Sequence, residues 1–384
     1  MKKITILGAG MVGRAMAIDL SKKHLVTSAD INAKNLELLP PGIQTLEIDL
    51  SDKNKVGKLI EEADLVIGAV PGFMGFQTVK TAIESGKNIV DISFFPEDAF
   101  ELDELAKKNN VVAIVDCGVA PGMFNIILGY HNERMRIESF VAMCGGLPVK
   151  RKMPFQYKAP FSPADVIEIY TRPAQIMVNG KLITVPALSD VEEINFDQVG
   201  TLEAFNTDGL RSLTRTMKIP NMKEKTLRYP GHTKLMEQLR EMGLFSENEI
   251  ELKGKKFRPI DVAGAILFPQ WKYEAGEEEF TVMRIIIDGE ESSGQSSGSG
   301  KQVRYQYDLF DRYDHATKTS SMERTTGYTC TAAANMFLEG LYQQKGISPP
   351  EFLGREENCF RFIVGYLEER GVYYHKTAME KSGK

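Results

Sequence analysis

Short apolar runs alternate with helical patterns along the first third of the chain. The opening run, Lys2-Lys3-Ile4-Thr5-Ile6-Leu7, reads as a strand and leads directly into Gly8-Ala9-Gly10-Met11-Val12-Gly13 and an alanine-rich helix. A second strand, 25–29, ends at Asp30. A helix near 32–39, a strand over 43–48 and a helix capped by Ser51 or Asp52 and running to about Glu62 complete one half. The alternation then repeats as strand 64–69, helix 73–85, strand 88–92, helix 96–108 and strand 111–115. Leu65-Val66-Ile67 and the 111–115 run are apolar throughout, as strands covered by helices on both faces must be. The pattern predicts six parallel strands in a doubly wound α/β sheet of the Rossmann type.

Past about Asn125 the periodicity changes to β-rich segments with irregular connections, at 139–144, 174–185, 249–252, 280–288 and 302–313. This predicts a second, α+β domain. The runs 280–288 and 302–311 flank a Ser/Gly-rich stretch within 289–301, which predicts a β-hairpin with a long, passive surface tip. From Thr326 an alanine-rich helix over 331–339 is followed by Gly346 and Pro349-Pro350, and this segment is expected to return to the first domain. The expected division is 1–124, 125–325 and 326–384.

The glycine motif carries the first chemistry. Gly8 permits a tight turn, Gly10 lets the backbone approach a pyrophosphate, and Gly13 allows close packing of helix on strand, with Met11 and Val12 at the helix N-terminus facing the phosphates. Asp30, with Ile31 beside it, stands near the offset at which an acid grips the adenosine ribose. A carboxylate there repels a 2′-phosphate, and Ile31-Asn32-Ala33 brings no cation before Lys34, so NAD is favoured over NADP. Ligands of such sheets sit at the carboxyl ends of the strands, which selects Ala69-Val70-Pro71, Asp91, Ser93 and Asp116-Cys117-Gly118 for the nicotinamide half.

Composition adds exclusions. The 384 residues are 42% hydrophobic and 26% charged, enough for two buried cores, and the net charge of −5 gives no electrostatic reason to bind nucleic acid or anionic membranes. No apolar run approaches the length of a membrane span and the chain starts in a strand, so it reads as cytoplasmic. Four scattered cysteines and five histidines lack the spacing of disulfide frameworks or zinc sites, and no metal is expected.

Several blocks together resemble the saccharopine dehydrogenase group. They are 8–13, Asp116-Cys117-Gly118-Val119-Ala120-Pro121-Gly122-Met123-Phe124-Asn125, 145–149, Tyr170-Thr171-Arg172-Pro173-Ala174, 202–209, Arg228-Tyr229-Pro230-Gly231-His232 and Arg324-Thr325-Thr326-Gly327. The resemblance implies a nucleotide domain, a second domain for a small amino-acid substrate and for dimerisation, and an NAD(P)-linked oxidation at a C–N bond. Within the group the blocks are most similar to lysine 6-dehydrogenases, which implies oxidative deamination of the L-lysine side chain. The alternatives are a saccharopine dehydrogenase or reductase acting on a secondary amine, and a noncatalytic NAD-binding regulatory protein.

The candidates for that chemistry keep two readings each. Asp116 is a catalytic base or a brace for the Gly118 to Gly122 turn, and His232 is a proton relay or a structural histidine. Cys117 touches the nicotinamide or fills apolar space, the filler being favoured. Arg211, Arg228 and Arg324 are carboxylate anchors or ordinary ion-pair partners, with Thr325, Thr326, Asn125 and Asn206 as further hydrogen-bonding groups. Asp208 pairs with an amino group or forms a turn, and Gly118 and Gly122 line the substrate side.

Overall fold

The computed structural model describes residues 1–159, 163–274, 276–291 and 301–380. They form two compact units, one of Met1–Arg134 with Met322–Tyr373, the other of Met135–Ser321 with Tyr374–Lys384. The chain therefore crosses between units after 134, 321 and 373, where the pattern of the sequence put breaks at 124 and 325.

The first unit is built on a parallel sheet. Its strands run in the order Gly346–Ser348, Val112–Ile114, Ile89–Asp91, Leu65–Gly68, Lys3–Leu7, Leu25–Asp30, Gln44–Glu47, and every neighbouring pair is parallel. Six of these are the strands the alternation predicts. The seventh, Gly346–Ser348, enters from the C-terminal segment and pairs with Val112–Ile114. It escapes a pattern reading because three residues are too few to show a period. Helices cover the sheet, and Leu7, Val66, Ile89, Ala113 and Ile347 share one core with Val79, Ile83 and Ala106 of the helices. Asp52 caps the helix Lys53–Ile60 by accepting the Asn54 and Lys55 N–H groups. The expected helix over 96–108 is a 3₁₀ turn, Ala99–Leu102, passing into Asp103–Lys108.

The C-terminal helix Ser321–Leu338 packs on the glycine-loop helix Met11–Ser21, with Met16, Val12 and Ala15 within 3.3 to 3.7 Å of where a Gly327 side chain would begin. Asp19 of the loop helix, fully buried, accepts hydrogen bonds from Thr331 and Tyr366 at 2.7 Å and an ion pair from Arg370 at 2.9 Å. Arg14 pairs with Glu323 at 2.9 Å. These charge-assisted contacts fix the loop helix against a segment more than 300 residues away in sequence.

The second unit is a nine-stranded mixed sheet. Its main order is Glu192–Phe196, Gly200–Asn206, Asn221–Arg228, Met135–Pro148, Glu279–Glu291, Lys301–Arg312, Tyr374–Glu380. The 174–185 run is two strands, Ala174–Val178 and Lys181–Val185, reversed at Asn179-Gly180, both with positive φ as a type I′ turn requires. The expected hairpin is present: Glu279–Glu291 pairs antiparallel with Lys301–Arg312, and Arg284 faces Asp308 while Asp288 faces Arg304 across the strands, so opposite charges fix the register. The tip, 292–300, lies outside the described residues. Helices Pro163–Thr171, His232–Glu241 and Pro259–Trp271 contribute Val166, Tyr170, Met236, Leu267 and Trp271 to a core shared with Leu202, Phe205 and Leu227 of the strands. Among the described residues no helix is long and apolar enough to cross a membrane.

Candidate functional site

At the carboxyl ends of the parallel strands, the glycine loop closes by steric necessity. Gly8 sits at φ +112°, and a side chain there would begin 2.3 Å from the Ala69 carbonyl oxygen; one on Gly13 would begin 2.0 Å from the Gly8 carbonyl oxygen. Gly10 differs, because a methyl group there would meet nothing within 4 Å. The loop helix has no side-chain cap, so its first N–H groups, at Met11 and Val12, are left without a capping partner, as an anion-binding helix start requires. Gly10→Ala should therefore melt within about 1 °C of the wild type yet bind dinucleotide about 10-fold to 100-fold more weakly. Gly13→Ala should lose stability outright, and thermal melts with NAD titrations compare the two.

Asp30 is held at the end of Leu25–Asp30 by its own loop: its carboxylate accepts the Ala9 N–H at 2.7 Å and the Asn32 N–H at 2.8 Å. One carboxylate thus ties the glycine loop to the second strand and still has lone pairs for ribose hydroxyls. Ile31 beside it is exposed, as are Pro71 and Met11, while Val12 and Ala69 are half-buried and Val70 is buried. Nearer the sheet centre the structure departs from expectation. Asp91 is fully buried, and its Oδ1 accepts both the N–H and the O–H of Ser93, which ties the two side chains together. Cys117 is also fully buried; burial first, then the charges of Asp116 and Asp91, holds its thiol far above the ordinary range, and it fills space as a neutral group.

Asp116 begins the turn after Val112–Ile114 in the left-handed region, at φ +54°. The turn folds back tightly, with Gly122 at φ +135° and the Met123 N–H donating to the Gly118 carbonyl at 3.0 Å. Asn125 is the brace of this turn. Its Oδ1 accepts the Gly122 N–H and its Nδ2 donates to Glu351, each at 3.0 Å, in a fully buried position. This corrects its expected substrate role, because both ends of the amide are already occupied. Thr326 lies against the same turn, its methyl group 3.2 Å from where a Gly118 side chain would begin. Arg324 donates to the Arg370 carbonyl at 2.9 Å, and Thr325 is fully buried in the helix.

The second unit gathers the other candidates unequally. Strand alternation along Asn221–Arg228 puts Glu224, Thr226 and Arg228 on one face; Asn206, paired directly with Lys225, belongs to the opposite face and donates to Ser189 Oγ. Arg228 and Asn206 are therefore not brought together. Asp208 accepts the Gln175 N–H at 3.3 Å, and burial raises its carboxyl above the ordinary range. Arg211 sits at φ +45° in the loop after it.

Arg228 is 2% exposed. Its Nε donates to Tyr170 Oη at 3.3 Å, its Nη1 to the Leu227 carbonyl at 2.9 Å, and the guanidinium lies 4.3 Å over the Tyr157 ring. The acid facing it across the strands, Glu203, spends its carboxylate on the Gly231 and Thr233 N–H groups at the start of His232–Glu241. Among the described residues Arg228 forms no ion pair within 4 Å and its Nη2 has no hydrogen-bond acceptor, although Glu224 on the same strand face feels its charge.

His232 corrects another expectation. It is buried, its Nδ1 bonds the Phe155 carbonyl at 2.8 Å and its Nε2 bonds Tyr170 Oη at 2.9 Å. A carbonyl only accepts, so Nδ1 carries the proton and Nε2 accepts from the tyrosine. Burial, then the Arg228 charge, pushes its pKa down to about 3. Neutral and hydrogen-bonded at both nitrogens inside the protein, it aims Tyr170 rather than facing a substrate directly. The residues a sequence reading missed are Tyr157, Tyr170, Trp271 and Glu224. Tyr170 stands in a matched block and Trp271 is the chain's single tryptophan, but nothing in their spacing tells that they gather with Tyr157 in one aromatic cluster, two of whose rings, Tyr157 and Tyr170, meet Arg228. Among the described residues no group of three or more His, Cys, Asp or Glu side chains is gathered as a metal would require.

The chain matches the saccharopine dehydrogenase NADP binding domain over residues 4–114 and the saccharopine dehydrogenase C-terminal domain over residues 118–372. It belongs to the saccharopine dehydrogenase family. Among the family's curated members it is 28% identical to the NADP(+), L-glutamate-forming saccharopine dehydrogenase of Schizosaccharomyces pombe, covering 91% of this chain and 94% of that protein. It is 26% identical to an alpha-aminoadipic semialdehyde synthase of Arabidopsis thaliana over 74% of this chain, and spans only 31% of that longer protein. The fold matches the apo L-Glu-forming saccharopine dehydrogenase of Saccharomyces cerevisiae with a TM-score of 0.78 at 20% identity, over 99% of this chain and all of the other. A homospermidine synthase of Legionella pneumophila, solved with NAD, aligns at a TM-score of 0.67 and 13% identity over 98% of this chain and 91% of its own.

Proposed function

We propose that the protein is an NAD-linked amino-acid oxidoreductase that deaminates the side-chain amine of L-lysine. The observation that carries the reading is the buried Arg228 with no acid within ion-pair distance among the described residues. A buried cation without a counter-charge is costly, and an amino-acid carboxylate supplies the missing anion. One such cation suits a substrate with one carboxylate. Saccharopine, with three, would ask for more; the names of the family's curated members favour that second reading, oxidation of a secondary amine.

The reaction sets the remaining roles. A bound nicotinamide supplies the hydride acceptor. The hydride leaves the carbon bearing nitrogen, and a charged ammonium cannot support the resulting iminium, so the ε-ammonium, with a pKa of about 10.4 in water, must first lose a proton. We assign that proton to Asp116. Water then adds to the imine, releasing aldehyde and ammonia. Asp30 disfavours a 2′-phosphate, and Arg14, the cation of the loop helix, is already paired with Glu323. The preference for NAD should reach about 10-fold in kcat/KM, and equal or better use of NADP would reverse the assignment.

Nicotinamide reduction with L-lysine, accompanied by ammonia release, is the expected result. Reduction with saccharopine alone and no ammonia would establish the second reading. Dinucleotide binding without turnover on either would indicate a noncatalytic protein. The chain is further proposed to act as a homodimer, and light scattering at the 42.9 kDa of one chain would remove that part.

A further inference from the structure

Two buried polar groups of the second unit lack hydrogen-bond partners among the described residues and belong to one aromatic cluster. Trp271 is 0% exposed and Tyr157 4%, and neither Trp271 Nε1 nor Tyr157 Oη has a partner among the described residues. Arg228 Nη2, which donates no hydrogen bond among the described residues, lies beside Tyr157. The Tyr157 and Trp271 rings meet edge to face at 5.7 Å, Tyr157 lies 5.2 Å from the His232 ring, and Arg228 lies over Tyr157. The Ala159 N–H, donating to the Trp271 carbonyl at 2.8 Å, ties the 155–159 segment to the end of the helix. Native proteins rarely leave such groups unsatisfied, and two in one cluster beside a guanidinium arm without an acceptor are not accounted for by packing.

We infer that Arg228, Tyr157 and Trp271 form a carboxylate subsite that recognises the α-carboxylate of the amino-acid substrate. The donor set decides the ligand class. An indole N–H and a guanidinium only donate, so the group they await is an acceptor, and the charge makes it an anion. The aromatic walls exclude water and strengthen each bond to it. An ammonium is repelled by Arg228, so the reacting amine of the same molecule lies away from this cluster. Tyr170 and His232 are positioning residues, since the Nδ1-protonated imidazole fixes the Tyr170 hydroxyl on which Arg228 Nε rests. The inference rests on the reading of the substrate as an amino acid and adds the residues that select it.

Trp271, the chain's single tryptophan, makes the subsite its own reporter. With ADP-ribose present to fill the dinucleotide site without allowing turnover, L-lysine should shift the intrinsic fluorescence, and cadaverine, the same molecule without the carboxylate, should not. Tyr157→Phe keeps the ring and should weaken the lysine titration about 10-fold, as loss of one hydrogen bond to a charged group does. Trp271→Phe, followed by kinetics, should raise the lysine KM about 10-fold with kcat within about twofold. Circular dichroism checks that both variants fold. Cadaverine binding as tightly as lysine, inorganic phosphate displacing lysine, or unchanged lysine affinity in both variants would overturn the subsite. Binding of lysine that needs Tyr157 but gives no turnover with NAD would uphold the subsite and remove the proposed reaction. Turnover unaffected by either variant would do the reverse.

Discussion

Arg228→Met should raise the KM for the amino-acid substrate by about two to three orders of magnitude while the ligand-free protein melts no lower than the wild type. The size follows from losing a charge-assisted, two-pronged contact with a carboxylate inside a desolvated cluster, where such a contact contributes about 3 to 4 kcal/mol. The stability half is the sharper test. An ordinary buried ion-pair partner destabilises the fold when removed, because its mate is left charged and alone. Arg228 has no acid within ion-pair distance among the described residues: it contacts the Tyr170 hydroxyl, the Leu227 carbonyl and the Tyr157 ring, and the buried Glu224 on its face of the strand feels its charge without pairing with it. Methionine keeps most of the volume against those rings and ends the cost of burying the charge. Differential scanning calorimetry together with steady-state kinetics reads both quantities. A drop of several degrees in Tm would make Arg228 a structural residue and leave the carboxylate without its anchor.

Glu224→Gln should make the protein more stable than the wild type above neutral pH, by up to about 3 kcal/mol, and should flatten the decline of stability that the wild type shows between pH 4.5 and 7. Glu224 is buried, and burial pushes its carboxyl up to about 7; the Thr207 hydroxyl it accepts opposes the rise and the neighbouring Asp208 charge adds to it. In the unfolded chain the same group ionises near the ordinary glutamate value of about 4.3. Between those two values the folded state holds a proton that the unfolded state has lost. Stability from this group is thus complete below the lower value and disappears as pH rises through the upper one. Glutamine mimics the protonated carboxyl and removes the dependence. His232 acts in the opposite direction: with its pKa pushed down to about 3, it costs stability only as pH falls below the ordinary histidine value of about 6.5. Urea melts of the wild type and Glu224→Gln at pH 5 and pH 8.5 separate the two groups. Parallel curves at both pH values would show that Glu224 is ionised throughout.

The nucleotide end was legible because its chemistry is local. Gly8, Gly10 and Gly13 act within six residues, and Asp30 reaches them through the strand beside theirs, so spacing alone announces the closed loop and the acid that ties it. The paired runs at 280–288 and 302–311 announced their hairpin in the same way. The opposite end was not legible. His232 looks like a loop histidine beside Arg228, yet the fold buries it against Phe155 and Tyr170, where its basicity falls and its nitrogens are occupied. Asn125 looked like a substrate ligand because it follows a glycine turn, and became a brace once Glu351 was brought to it from more than 200 residues away.

By itself the sequence determined the parallel α/β framework, the glycine cradle with its acid, and the residue types from which an amine oxidation could be assembled. Tertiary structure alone decided that a three-residue strand from residue 346 onward completes the first sheet, and that Arg228 stands buried against Tyr157 and Tyr170 with no acid in ion-pair distance among the described residues. The physical reason is range. Periodicity and turn chemistry act between neighbours in the chain, whereas desolvation and the satisfaction of buried donors depend on groups that only the packed fold brings within a few ångströms of one another.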